Sequence, residues 1–391
     1  MKELTSRERY KRLFKGEPID RIPVCPRVFE NVVFERHQTK DLDILEKVAE
    51  YYRYFGMDII DWMCTPAPHF EMTDFTVEGP NWHPSTEEKK EGKTTHILQK
   101  VKTPKGELRR VITATVTGPF EEEKALTETP IKSEKDFDLI EEFMPEPYTL
   151  DTENWIKKMQ RIIGEDGITS PSFHGPFNIL AYCYRKFDAL LMDLMENPKF
   201  YHRMMRYFTD RIKKYAKQMM DADCDMVDIG ANMANGLVVS PTMLVDEIMP
   251  YENELADFIQ EKGIPCLYHN CGYAKNHLGV YHKLHHKVWG YLAPKPHGDT
   301  VLEEAIEKLP REMILWGHVD QIDFLRKATP AEIDARVKYC CETMKPRGNY
   351  ILGTTDYLEV GTPEEIRSST NPVVKDFTST HFEMAEGGRD R

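Results

Sequence analysis

The sequence predicts an α/β chain of the (β/α)8 barrel class, with an N-terminal helical extension and a β-hairpin inserted after the second strand. Three observations lead there. Short apolar runs alternate with helical patterns often enough to give eight strands within 391 residues. A chain of that length suits one large barrel, so residues 1–391 read as a single domain. Polar residues with chemical reach collect just after the apolar runs, the end of a parallel barrel where sites are built.

Taken in order, Ser6 is placed to cap a helix that runs to about Lys15 and closes at Gly16. Arg21 to Val28 reads as a first strand with Arg27 and Glu30 near its C-terminal end, and a helix near Asp43 to Phe55 leads to a second strand at Asp58 to Met63. Residues 74–117 break the pattern. Strand-like runs at His96 to Lys102 and Glu107 to Thr115 flank Thr103-Pro-Lys-Gly, a turn by its Pro and Gly, and predict a hairpin over the barrel mouth. From Ser133 helix and strand alternate: helices near Asp136 to Phe143 and Asp151 to Ile163, a strand Ile168 to Phe173, a helical pair broken at Asn197-Pro198, and a fourth strand Asp225 to Gly230. Strands follow in the stretch Ile264 to Gly272 and at Val288 to Ala293, Met313 to Val319 and Asn349 to Thr354, with a helix from Thr329 to about Met344 before the last of them. Gly361-Thr-Pro opens a final helix.

Composition excludes several classes. Lys and Arg total 52 against 65 Asp and Glu, a net charge of −13, so nucleic acid is not expected as a partner. The eight cysteines lie in apolar segments without framework spacing and read as thiols of a reducing compartment. No run approaches membrane-spanning length and the N-terminus opens an amphipathic helix, so the expected location is cytoplasmic. Neither common phosphate-cradling Gly-rich loop is present.

The chemistry gathers at Ile264 to Gly272. Side chains two apart on a strand face the same way, so His269 and Cys271 converge on one point. An imidazole and a thiol make half of a zinc site, and a catalytic zinc takes a third protein ligand while keeping its fourth position open. Candidates for the third are Asp356 after the eighth strand, His318 and Asp320 after the seventh, Asp228 after the fourth and Glu30 after the first, with Asp356 preferred. Cys340 and Cys341 lie in a predicted helix and read as packing. Asp228, Asn232, His297 and His318 are assigned to substrate binding, His174 to the cleft lining, and Trp62, Phe70 and Trp82 to a possible ring-binding wall.

Several stretches together resemble the uroporphyrinogen decarboxylase superfamily, and within it the corrinoid-dependent zinc methyltransferase branch. They are Ser6-Arg-Glu-Arg-Tyr-Lys-Arg-Leu-Phe-Lys-Gly with Asp20-Arg-Ile-Pro-Val, His174-Gly-Pro-Phe, Glu196-Asn-Pro, Ser240-Pro before Met249-Pro-Tyr, His269-Asn-Cys-Gly, Gly317-His-Val-Asp, and Ile351-Leu-Gly-Thr-Thr-Asp with Gly361-Thr-Pro. The resemblance implies zinc on His269 and Cys271, with Asp356 standing where the branch has a distal Cys. A carboxylate in place of a thiolate makes a harder Lewis acid suited to an oxygen ligand, so the expected reaction is methyl transfer from a small methylated substrate, a methyl ether first, to cobalt. No Asp-x-His-x-x-Gly occurs among the 14 histidines, so the corrinoid is expected on a separate protein. Rival expectations are a decarboxylase-type lyase, weakened because Pro26 to Asn31 lacks that activity's Arg-rich motif, methyl transfer from methylcobalamin to a thiol, and a binding barrel with a structural metal.

Overall fold

A computed structural model describes residues 3–66 and 74–363; Phe70 and the helix expected after Pro363 lie outside them. The centre is parallel sheet. Strands β7 (Ser172–His174), β8 (Val227–Gly230), β9 (Cys266–His269), β10 (Val288–Leu292), β11 (Ile314–Val319) and β12 (Tyr350–Thr354) pair in sequence order as one six-stranded parallel sheet. Strands β1 (Ile59–Asp61) and β6 (Gly167–Thr169) form a two-stranded parallel sheet. β6 and β7 are one extended run interrupted at Ser170-Pro171, where proline has no N–H to give to a ladder. The fold class is therefore α/β with parallel sheets, and the strands are largely buried and rich in apolar residues.

The segment expected as the first strand is not a regular one. Pro23 and Pro26 remove two donors, and what remains is two isolated parallel bridges, Val24 with Leu352 and Arg27 with Tyr357. Hydrogen bonds nonetheless run from this segment to both sides: Cys25 N to Leu352 O at 2.8 Å, Leu352 N to Pro23 O at 3.0 Å, and Asp58 N to Val24 O at 2.9 Å.

The insertion is also larger than a hairpin. Strands β2 (His83–Glu91), β3 (Thr94–Thr103), β4 (Gly106–Val116) and β5 (Glu122–Glu128) form a four-stranded antiparallel sheet, with the expected turn between β3 and β4. β2 reads His-Pro-Ser-Thr-Glu-Glu-Lys-Lys-Glu and is almost wholly exposed, so it carries no apolar alternation by which to recognise it. Val101, Leu108, Ile112 and Ala114 supply the buried face of this sheet.

Helix starts follow local chemistry. The first helix spans Ser6–Lys15, and its cap is Thr5, whose side chain accepts from Glu8 N, rather than Ser6. Ser6 is freed for another task, donating from Oγ to Asp58 Oδ1 at 2.6 Å. Thr329 and Glu332 make a capping box ahead of Pro330–Met344, whose Cys340 and Cys341 are buried packing groups. All eight cysteines are free, and Cys271 is the one that is not buried. Among the described residues no helix is long and apolar enough to cross a membrane.

Asp58, fully buried, is the strongest electrostatic anchor of this architecture. Arg9 Nη1 reaches Oδ1 at 2.6 Å, Arg21 reaches Oδ2 at 2.6 Å and Oδ1 at 2.8 Å, and Val24 N donates to Oδ2 at 2.8 Å. Burial opposes ionisation, but the two guanidinium groups hold this carboxyl below the usual range. Removing the charge of Asp58 leaves Arg21 without its carboxylate partner and Arg9 with only Asp20, 2.7 Å from its Nε. Asp58→Asn is expected to lower unfolding free energy by about 3–5 kcal/mol, read as a shifted urea midpoint; a loss under about 1 kcal/mol would refute the anchoring role.

Candidate metal centre

β9 ends at His269, and the next residue turns away from it. Asn270 is fully buried, its Nδ2 donating to Ala234 O at 3.2 Å and Tyr281 Oη at 3.1 Å, and its Oδ1 accepting from Gly272 N at 3.3 Å. With Asn270 pinned outward, His269 and Cys271 face the same side. Asp356 arrives from beyond β12, where Tyr357 N donates to its Oδ1 at 2.8 Å and Thr355 is held by Gln321 Oε1 at 2.7 Å. One potential ligand atom from each of His269, Cys271 and Asp356 lies within 4.8 Å of the others, at the C-terminal ends of the parallel strands.

This donor set fits zinc. Ligands held about 2.0–2.3 Å from one tetrahedral ion stand roughly 3.5 Å apart, so closing on an ion asks for a contraction of about an ångström at most. The surroundings also favour a cation. Burial, then the Asp356 carboxylate, pushes the Cys271 thiol well up, while Arg27 works in the opposite direction. A divalent ion would relieve that crowding of two acids.

The other sequence-predicted residues divide. Asp228 comes to the cluster but is 2% exposed, held by Arg27 at 3.0 Å on Oδ2 and facing His269 Nδ1 at 3.3 Å with Oδ1. Although burial opposes it, Arg27 and His269 keep this carboxyl below its usual range. Asn232 lies beside the site: its Oδ1 accepts from Asn178 at 2.6 Å and its Nδ2 donates to Tyr182 Oη at 2.8 Å. The Tyr182 ring stacks on His174, with centroids 4.9 Å apart and planes at 15°. Burial, then the neighbouring His269, lowers His174 to about 4, so its ring is neutral near pH 7.

His297 and His318 are not part of this cluster. His297 pairs with Asp323 at 2.9 Å and belongs to a separate group with Asp320, whose carboxylate accepts from the backbone N–H of Ile322, Asp323 and Phe324. His318 sits at φ 84°, buried and bonded to Thr300 O at 3.1 Å with Cys340 Sγ at 4.0 Å. Trp82 is fully buried in the core, whereas Trp62 stands by the site with Phe29 and Tyr357.

Arg27 is the important omission from the sequence-based site. It is buried at the cluster, with Nη1 2.8 Å from His269 Nδ1 and 3.2 Å from Tyr291 Oη, and its guanidinium lies 4.8 Å from the Trp62 ring centroid and 5.2 Å from that of Tyr291. The available signal was a cation inside the apolar run Pro23-Val-Cys-Pro-Arg-Val.

With this geometry in hand, the class is an α/β protein with an imidazole, thiol and carboxylate gathered at the strand ends. The uroporphyrinogen decarboxylase (URO-D) family model matches residues 91–371, and the chain belongs to that family. A methyltransferase from Methanosarcina mazei is structurally similar at TM-score 0.68 and 15% identity, covering 96% of this chain and 99% of its own. A B12-independent methionine synthase from Shewanella sp. W3-18-1 gives a TM-score of 0.43 at 12% identity, over 66% of this chain and 70% of its own. A putative vitamin-B12 independent methionine synthase from Listeria monocytogenes gives 0.43 at 11%, over 91% and 96%. Curated protein sequences gave no match.

Behind the site, Glu252 is fully buried with its carboxyl against Gly175; a Cβ on that glycine would fall 2.5 Å from either oxygen. Burial raises this acid to about 8. The folded state therefore holds a proton that the unfolded chain has released, and stability falls as pH rises from the ordinary glutamate range to about 8, by about 1.4 kcal/mol per pH unit at most. Glu252→Gln is expected to flatten that slope and exceed the wild type in stability at pH 8, checked by urea titrations at pH 5.5 and 8; an unchanged slope would contradict it.

Proposed function

We propose that this chain is a zinc-dependent methyltransferase that moves a methyl group between a small methylated substrate and the cobalt of a corrinoid held by a separate protein. The observation that carries the proposal is the convergence of His269, Cys271 and Asp356 at the strand ends. Family membership and the likeness to a solved methyltransferase over nearly the whole chain support it. We infer further that the parallel sheets close into a single (β/α)8 barrel through residues 23–27, which bond to β12 on one side and to Asp58 on the other, with β2–β5 as an insertion. A cytoplasmic location accords with this reading.

The residues divide the work. Bound zinc would supply a Lewis acid for the atom from which the methyl group departs. His269, Cys271 and Asp356 would hold it, and the carboxylate of Asp356 favours an oxygen there over a thiol. A methyl ether is accordingly the preferred substrate. Phe29, Trp62 and Tyr357 form a run of tilted rings, with the Phe29 centroid 4.2 Å from that of Trp62 and 4.8 Å from that of Tyr357, that offers an aryl group apolar contact surface. Decarboxylation of a polyacid would need several cations, and Arg27 at the cluster is already engaged by Asp228 and His269.

Purified protein is expected to carry about one equivalent of zinc by mass spectrometry, and Cys271→Ala and Asp356→Ala to lose most of it. Wild type mixed with an aryl methyl ether and cob(I)alamin should yield the methylcobalamin spectrum, with amines and thiols as comparison substrates. Undiminished zinc and turnover in Asp356→Ala would remove the ligand assignment, and no methylcobalamin from any substrate would remove the function.

A further inference from the structure

The tautomer of His269 decides whether it can ligate at all. Its Nδ1 has two neighbours: Arg27 Nη1 at 2.8 Å and Asp228 Oδ1 at 3.3 Å. A guanidinium only donates, so the contact with Arg27 makes Nδ1 an acceptor and leaves the proton on Nε2. That state blocks Nε2 as a ligand. With Nδ1 enclosed by these two side chains, Nε2 is the nitrogen left to meet an ion, and it must first surrender its proton. The acceptor for a proton moved to Nδ1 is then Asp228 Oδ1, a buried oxygen with no other hydrogen-bond partner.

We propose that Asp228 is a positioning residue of the metal centre, accepting a hydrogen bond from the His269 Nδ1–H so that Nε2 offers its lone pair to zinc, with Arg27 clamping the other Asp228 oxygen to aim it. The proposal rests on the metal reading above, and it moves Asp228 from substrate contact to ligand support. Arg27 is itself fixed: Tyr291 Oη lies 3.2 Å from Nη1, the Trp62 ring lies beside the guanidinium, and its backbone N donates to Thr354 Oγ1 at 3.0 Å. Metal loading therefore exchanges one hydrogen bond for another. Nδ1 stops accepting from Arg27 and donates to Asp228, while the Arg27–Asp228 pair persists.

The clamp makes Asp228→Asn informative despite its near-identical shape. Arg27 demands an oxygen, so the amide must turn its oxygen to Arg27 and its NH2 to His269, which favours an accepting Nδ1 and a protonated Nε2. Loss of such a carboxylate partner typically weakens metal binding 10–100-fold. Zinc affinity of the metal-free full chain would be measured by competition with a chromophoric chelator for wild type, Asp228→Asn and Cys271→Ala, with circular dichroism as the check on folding. Wild type is expected to bind one ion and Asp228→Asn to bind it 10–100-fold more weakly with unchanged helicity. Equal affinity in wild type and Asp228→Asn would overturn this assignment while leaving the metal site standing; a wild type that takes up no zinc would overturn both. Should the variant not fold, 15N-histidine spectra of wild type decide the matter: the His269 proton is expected on Nε2 without zinc and on Nδ1 with it, and no exchange on loading refutes the proposal.

Discussion

The buried carboxylate of Asp58 is the constraint on which the rest of the molecule depends. Two prolines deprive residues 21–28 of a regular ladder, so this segment cannot be held in place by strand pairing alone. Asp58 holds it instead as a shared acceptor: Ser6 Oγ, Arg9, Arg21 and the Val24 N–H all donate to its two oxygens. The N-terminal helix, the irregular first segment and β1 thereby become one unit. Three residues beyond Val24 comes Arg27, whose backbone meets Thr354 and Leu358. The position of Arg27 at the cluster is thus inherited from an ionic knot three residues back along the same segment.

Charge around the cluster is arranged with little slack. Cys271, Asp356 and Asp228 would together place three negative charges close to one another, against one guanidinium. That imbalance is unfavourable in a buried setting and falls only when protons or a cation arrive. Arg27 is flanked by the rings of Trp62 and Tyr291, which tolerate a flat cation without hydrating it.

How much of this was legible in the sequence follows physical lines. His269 and Cys271 could be paired from strand parity alone, and Asp356 from its place after the last strand, because those inferences need only periodicity. The buried face of the insertion was visible in β3 and β4. β2 and β5 were not, since a strand exposed on both faces has no pattern. Nothing in the residue pattern marks His318 as the place where the backbone leaves the extended region, at φ 84°. Arg27, Tyr291 and Tyr182 escaped because their roles depend on neighbours far away in the chain. The opening Ser6 to Asp20-Arg21 stretch, read as a family signature, is an assembly device: Ser6, Arg9 and Arg21 end at Asp58, and Arg7 at Asp225.

The antiparallel sheet has two free borders, and a free border is an invitation to another chain. β2 answers it with Glu87, Glu88, Lys89, Lys90 and Glu91 in succession, all exposed. Docking a second copy along that margin would strip water from each of these charges, so growth by strand addition is discouraged by the side chains themselves. The same mixed-sign fringe keeps the edge from becoming adhesive, and a drift of these five positions toward valine or isoleucine would convert a harmless border into a seed for aggregation.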